Sequence, residues 1–150
     1  MKKLFFCVAM IAALMLTACG GKSDNQSYAD LGLPSGTKWA LTNEPGFYSY
    51  DDAVAKYGRA LPTEDQIKEL VNYCVWKWNG SGYQVTGPNG KMIFLPADVI
   101  LDGIDGYGGE LWSSTPSKSN DAFDVSFTHD RVKIDDDARW IQMSVRLVRR

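Results

Sequence analysis

The sequence predicts an α+β domain: two short helices in the first half and an antiparallel run of strands in the second. Three observations carry the class. Apolar residues recur at helical spacing between Ala53 and Cys74. The period changes to two after Cys74. Gly87-Pro88-Asn89-Gly90 then marks a tight turn between two alternating runs.

The first helix starts at Ser49, an N-cap with Asp52 three residues on; Ala53, Val54 and Tyr57 form its apolar face and Gly58 stops it. The second starts at Thr63, where Gln66 completes a capping box and Glu64 and Asp65 complement the positive helix end. Ile67, Leu70, Val71 and Cys74 fall at i, i+3, i+4 and i+7, so Cys74 ends a buried stripe as a packed, unreactive thiol. Trp76 and Trp78, then Tyr83 and Val85, then Met92 to Leu95 are strands, with Asn79-Gly80-Ser81-Gly82 as a loop. Asp98 to Asp121, rich in Gly, Asp, Ser and Pro, reads as one long irregular region broken only by Leu111-Trp112-Ser113-Ser114. Phe123, Val125 and Phe127, then Val132 and Ile134, alternate around a turn at 128–131. Asp135-Asp136-Asp137 reads as a solvated turn. Ile141, Met143, Val145 and Leu147 alternate with Gln142, Ser144 and Arg146, which predicts a half-buried final strand.

The chain of 150 residues opens on a different kind of segment. Lys2 and Lys3 precede an uncharged apolar run from Leu4 to Leu16, shorter than the roughly 20 residues a spanning helix needs. Leu16-Thr17-Ala18-Cys19 follows it directly and resembles the bacterial lipobox. Residues 1–18 are therefore expected to be a cleaved signal peptide, with Cys19 carrying the lipid that anchors the protein to a membrane, by expectation the outer one. Residues 19–27 are small and polar and read as a tether, leaving residues 28–150 as a single domain. Loss of Lys2 and Lys3 from the 16 basic groups leaves 14 against 18 acidic, a net charge of −4, which argues against nucleic acid as a partner. Of the three cysteines only Cys74 then remains free, so no internal disulfide can form.

Several segments together resemble one family. They are Tyr28-Ala-Asp-Leu-Gly-Leu-Pro-Ser-Gly-Thr-Lys-Trp-Ala40, Arg59-Ala-Leu-Pro-Thr63, Tyr83-Gln-Val-Thr-Gly-Pro-Asn-Gly90, Ile93-Phe-Leu-Pro96, Trp112-Ser-Ser-Thr115 and Ser144-Val-Arg-Leu-Val148. In order and spacing they look like the Fibrobacter succinogenes major paralogous domain, found in exported lipoproteins and surface proteins of gut-type bacteria. That family is similar in turn to the formylglycine-generating-enzyme group and the C-type-lectin-like fold. The resemblance implies that Lys38 to Leu41 pairs with Val145 to Val148, that Trp112 is a core residue beneath the loops, and that the long loop region carries any ligand.

Catalytic and metal chemistry find little support in the residues. The related sulfatase-activating enzymes use late cysteines, and none follows Cys74 here. His129, the sole histidine, lies in a turn and cannot build a zinc site alone. Asp102, Asp105 and Glu110 sit among glycines, but their spacing is not that of an EF-hand and the Glu-Pro-Asn and Trp-Asn-Asp signatures of calcium-dependent lectins are absent. No cofactor or metal is expected. The sequence thus points to a non-catalytic binding module of the cell envelope, recognising a glycan or a protein, with Asp102, Asp105, Tyr107, Glu110 and Trp140 as its ligand-binding residues. An enzyme on a formylglycine-generating-type scaffold and a structural subunit of a surface assembly are the alternatives.

Overall fold

The computed structural model describes residues 27–100 and 107–150. The expected signal peptide at 1–18, the lipidation site Cys19, all of the expected tether but Ser27, and the loop acids Asp102 and Asp105 lie outside the described residues.

Both helices form where their caps place them. α1 spans Tyr50–Tyr57, with the Ser49 hydroxyl accepting from the Asp52 amide at 3.3 Å and Gly58 closing the end at φ +50°. A single 3₁₀ turn, Gly58–Ala60, leads to α2, Glu64–Tyr73. There the capping box is complete: Gln66 N donates to Thr63 Oγ1 at 3.2 Å and Thr63 N donates to Gln66 Oε1 at 2.9 Å. Ile67 and Leu70 are buried, and Cys74 caps the helix half-buried, its thiol pushed up to about 11 by burial.

The strands are antiparallel and, among the described residues, form three sheets. A terminal sheet holds β1 (Tyr28–Asp30), β2 (Lys38–Ala40) and β10 (Val148–Arg149), with β2 in the middle. The pairing of Trp39 with Val148 and of Lys38 with Arg149 ties the two ends of the domain together. A hairpin sheet holds β3 (Val75–Trp78), β4 (Gly82–Thr86) and β5 (Met92–Pro96), the last two joined by the turn at 87–90. A large sheet runs β6 (Val99–Ile100), β7 (Tyr107–Pro116), β8 (Asp121–Thr128), β9 (Arg131–Ala138) in sequence order.

The large sheet separates two hydrophobic cores. Strand alternation sends Leu111, Val125 and Phe127 to one face, where they pack with Tyr83, Val85, Ile93 and Leu95 of the hairpin sheet and with Ile67 and Leu70 of α2. Trp112 and Ala122 point to the other face and pack with Tyr50, Ala53, Leu61, Met143 and Val145. Trp112 is fully buried, as the family resemblance implies; its indole donates to the Tyr48 carbonyl at 2.8 Å and meets Tyr50 edge to face at 5.7 Å.

Three sequence expectations are corrected here. The stretch from Asp98 to Asp121 is not one long loop, because β6 and the ten-residue β7 occupy much of it and β7 is an interior strand. Gly109 serves close packing rather than turning: its Cβ, if present, would fall against the Phe127 ring and 2.8 Å from the Pro96 carbonyl oxygen. Asp135-Asp136-Asp137 is not a turn but the second half of β9, each aspartate half-buried and paired in register with Asp124, Phe123 and Ala122. The final segment is not a half-buried strand. Met143 to Val148 is buried at every position, Ser144 and Arg146 included, because it runs between the large sheet and the terminal sheet; only Val148–Arg149 is a regular strand.

Candidate ligand-binding groove

The face of the large sheet that carries Trp112 is only partly covered. Where the second core ends, an open groove of about 680 Å³ begins. Its floor follows from the register. Glu110 of β7 stands opposite Ser126 of β8, which stands opposite Lys133 of β9; one step along, Trp112, Asp124 and Asp135 form the next row on the same face. Asp137 extends the β9 row, while Phe47, Ile141, Gln142 and Trp140 form the wall and rim.

Trp140 is held in place by its neighbours' backbones. It sits within a turn closed by Ile141 N donating to the Ala138 carbonyl at 3.0 Å. Arg139 N donates to Asn120 O at 2.9 Å, and Tyr50 N donates to Arg139 O at 2.9 Å, so the turn is fastened both to the β7–β8 connection and to the start of α1. The Arg139 guanidinium lies 4.9 Å from the centre of the Tyr50 ring. On this fixed turn the indole projects outward, 78% exposed, although it is the largest kind of apolar side chain. A second depression of about 580 Å³, lined by Ser49, Asp51, Asn120 and Arg139, begins at the same indole. Trp140 is thus a ridge between two polar hollows.

The electrostatics of the floor are set by crowded acids. Lys133 is ion-paired with Asp135, and that contact with the Asp136 amide holds the Asp135 carboxyl below its ordinary value. Burial, reinforced by Asp135 and Asp136, pushes Asp137 up. Asp124 is the extreme case: it is fully buried, neither carboxylate oxygen has a hydrogen-bond partner, and burial with the charges of Asp137, Glu110, Asp135 and Asp136 raises it to about 8. It is therefore neutral at pH 7. A neutral acid beside an ionised one is the pattern of an acid–base pair, but the oxygens of Asp124 are sealed from the groove and Asp135 is occupied by Lys133. What the groove does present is an aromatic face ringed by carboxylates, an amide and hydroxyls.

Of the residues expected to bind ligand, Glu110 and Trp140 come together on this groove. Tyr107 is exposed at the start of β7 opposite Ile100 and does not line it. Asp102 and Asp105 lie outside the described residues. Sequence reasoning missed Ser126, Lys133, Asp135, Asp137 and Gln142. The signal for the β9 residues was present: the alternation of Val132 and Ile134 continues through Asp136, which places Arg131, Lys133, Asp135 and Asp137 on one polar face. His129 is exposed in the β8–β9 turn, as expected. Among the described residues no three His, Cys, Asp or Glu side chains gather as a metal site would need.

Comparison with protein-family models, with curated proteins and with solved structures gives no significant match for this chain.

Proposed function

We propose that the protein is a lipid-anchored, non-catalytic binding module of the bacterial cell envelope that holds a glycan across Trp140. The observation that carries this reading is the ridge itself. A tryptophan left 78% exposed on a turn fastened by three backbone hydrogen bonds is pre-organised to stack on an apolar sugar face. Carboxylates and amides on both sides of it, Asp137 and Gln142 in one hollow and Asp51 and Asn120 in the other, suit hydroxyl groups. The pairing of β2 with β10, which joins the chain ends, and the placement of a buried Trp112 beneath the ligand face support the finer assignment to the C-type-lectin-like fold and the major paralogous domain family. Leu16-Thr17-Ala18-Cys19 behind an uncharged apolar run supports lipid attachment at Cys19 and an outer-membrane location.

The test is a panel of immobilised oligosaccharides bound by the wild-type chain and by Trp140→Ala. Loss of the stacking face should weaken binding about tenfold or more, on the order of 1.5 kcal/mol, with the melting temperature unchanged because the indole packs on little. Equal binding by both chains would remove Trp140 from the site.

A further inference from the structure

We propose that the outward face of the hairpin sheet rests on the bilayer to which Cys19 is anchored, turning the Trp140 groove away from the membrane. This rests on the lipid anchor proposed above and goes beyond it in fixing the orientation of the domain.

The face is built by cross-strand register. Val75, Thr86 and Met92 form one row across the three strands and Lys77, Gln84 and Phe94 the next, all pointing away from the core. Val75 is 69% exposed and Met92 52%, with Phe94 exposed beside them, so this sheet face presents apolar surface to solvent. Leu41, also exposed, lies beside Phe94 and Met92 in the same shallow apolar depression. The charge pattern suits a bilayer rather than another acidic protein. No acidic residue occurs in β3, β4 or β5, while Lys77 stands on the face and Lys91 directly precedes β5, in a mature chain whose net charge is −4. Lysines at the edge of an apolar patch meet anionic headgroups favourably.

The chain's point of entry selects this surface over others. Leu41 N donates to Ser27 O at 2.9 Å, so the segment that leads back to Cys19 leaves the domain beside the patch. The eight residue steps from Cys19 to Ser27 reach at most about 28 Å, less than the diameter of about 35 Å expected for a domain of this size. The surface around Ser27 is therefore held near the bilayer, and its docking becomes an intramolecular event in which a few apolar side chains suffice. The groove is on the far side. The inner face of the hairpin sheet packs through Val85, Ile93 and Leu95 on Leu111 and Val125 of the large sheet, and the groove opens on the opposite face of that sheet.

The experiment uses the full chain, produced in a lipidating host and reconstituted in vesicles of phosphatidylethanolamine and phosphatidylglycerol. In a Cys74→Ala background, a nitroxide is placed at Met92→Cys and, in a second sample, at Trp140→Cys. At position 92 collisions with oxygen should rise and collisions with a water-soluble nickel complex should fall severalfold relative to position 140. Adding Leu41→Ser and Phe94→Ser should return position 92 to the nickel accessibility of position 140. A chain that floats with the vesicles yet shows equal accessibility at both positions overturns the docking while leaving the anchor intact. A chain that does not float overturns the anchor and the docking with it. Protection at position 92 that disappears as the protein is diluted in lipid assigns the face to a second copy and likewise overturns the proposal.

Discussion

Arg146 Nη2 donates to the carbonyl of Phe94 at 2.8 Å, joining the buried C-terminal segment to the edge of the hairpin sheet. The same guanidinium donates from Nη1 to Ala40 O at 2.9 Å and from Nε to Asn43 Oδ1 at 2.6 Å. Two regions of the chain, one at residues 40–43 and one at Phe94, each more than 50 residues in sequence from Arg146, converge on its one planar fork. Burial lowers its pKa to about 10, opposed by the charge of Asp98, so it remains a cation at neutral pH.

That arrangement predicts a large effect of small changes. Arg146→Met leaves two carbonyl groups and the Asn43 side-chain oxygen without these donors in an enclosed site, and should cost about 3–5 kcal/mol. Arg146→Lys should recover little, because a single ammonium cannot reproduce three divergent N–H directions. Urea unfolding at constant m-value measures both; a loss below 1 kcal/mol in Arg146→Met, on the scale of an exposed pair, would show that the fork is dispensable.

Asp124 predicts a pH dependence. Its carboxyl is raised from 3.8 to about 8 by burial and by the neighbouring charges of Asp137, Glu110, Asp135 and Asp136. The folded protein thus keeps a proton that the unfolded chain releases, and stability falls as pH rises from about 4 to about 8, levelling off above. The ceiling for this one group is on the order of 5 kcal/mol. Asp137 and Asp98, also raised by burial, add to the same slope. Asp124→Asn should therefore melt with a visibly shallower pH dependence over that window and be more stable than wild type at pH 8. Parallel curves for the two proteins would show that Asp124 titrates normally.

The helices and the hairpin were legible because their signals are local. The capping box at Thr63 and Gln66, and the turn at 87–90, are each decided within four residues. The corrected segments depend on what lies across the sheet. Gly108 and Gly109 carry a turn's composition yet sit in β7, and at Gly109 only a glycine lets Phe127 and Pro96 approach. Ser144 and Arg146 looked solvent-facing because alternation identifies a strand's two faces without revealing that both are covered. The groove was half legible for the same reason. Trp140 and Glu110 stood out as aromatic and acid near turns, whereas the role of Asp135 and Asp137 depends on their register with Asp124 and Ala122 of β8.

Gly109 supplies a packing test. Gly109→Ala places a methyl group against the Phe127 ring and the Pro96 carbonyl, an overpacking expected to cost about 1–3 kcal/mol. Phe127→Leu removes the ring and leaves the carbonyl, so it should relieve part of the strain. The double substitution should lose less stability than the two single losses added together. Strict additivity in the thermal unfolding of the four chains would mean that Gly109 and Phe127 do not share the contact.

The last prediction separates the groove from the region that the sequence alone favoured. Tyr107 is exposed but lies outside the groove lining, whereas Asp137 and Gln142 line it on the Trp140 side. If a glycan lies across Trp140, Asp137→Asn with Gln142→Ala removes two hydrogen-bonding groups at about 0.5–1.5 kcal/mol each, more where a charge is involved, a combined weakening of roughly tenfold. Tyr107→Ala should leave affinity unchanged. Neither chain should melt appreciably below wild type, because none of the three side chains belongs to either core cluster and Asp137→Asn removes a charge that burial disfavours. Titration of each chain against the best oligosaccharide of the panel decides the matter: loss of binding in Tyr107→Ala with retention in the double variant would move the site to the edge of β6 and β7 and away from the ridge.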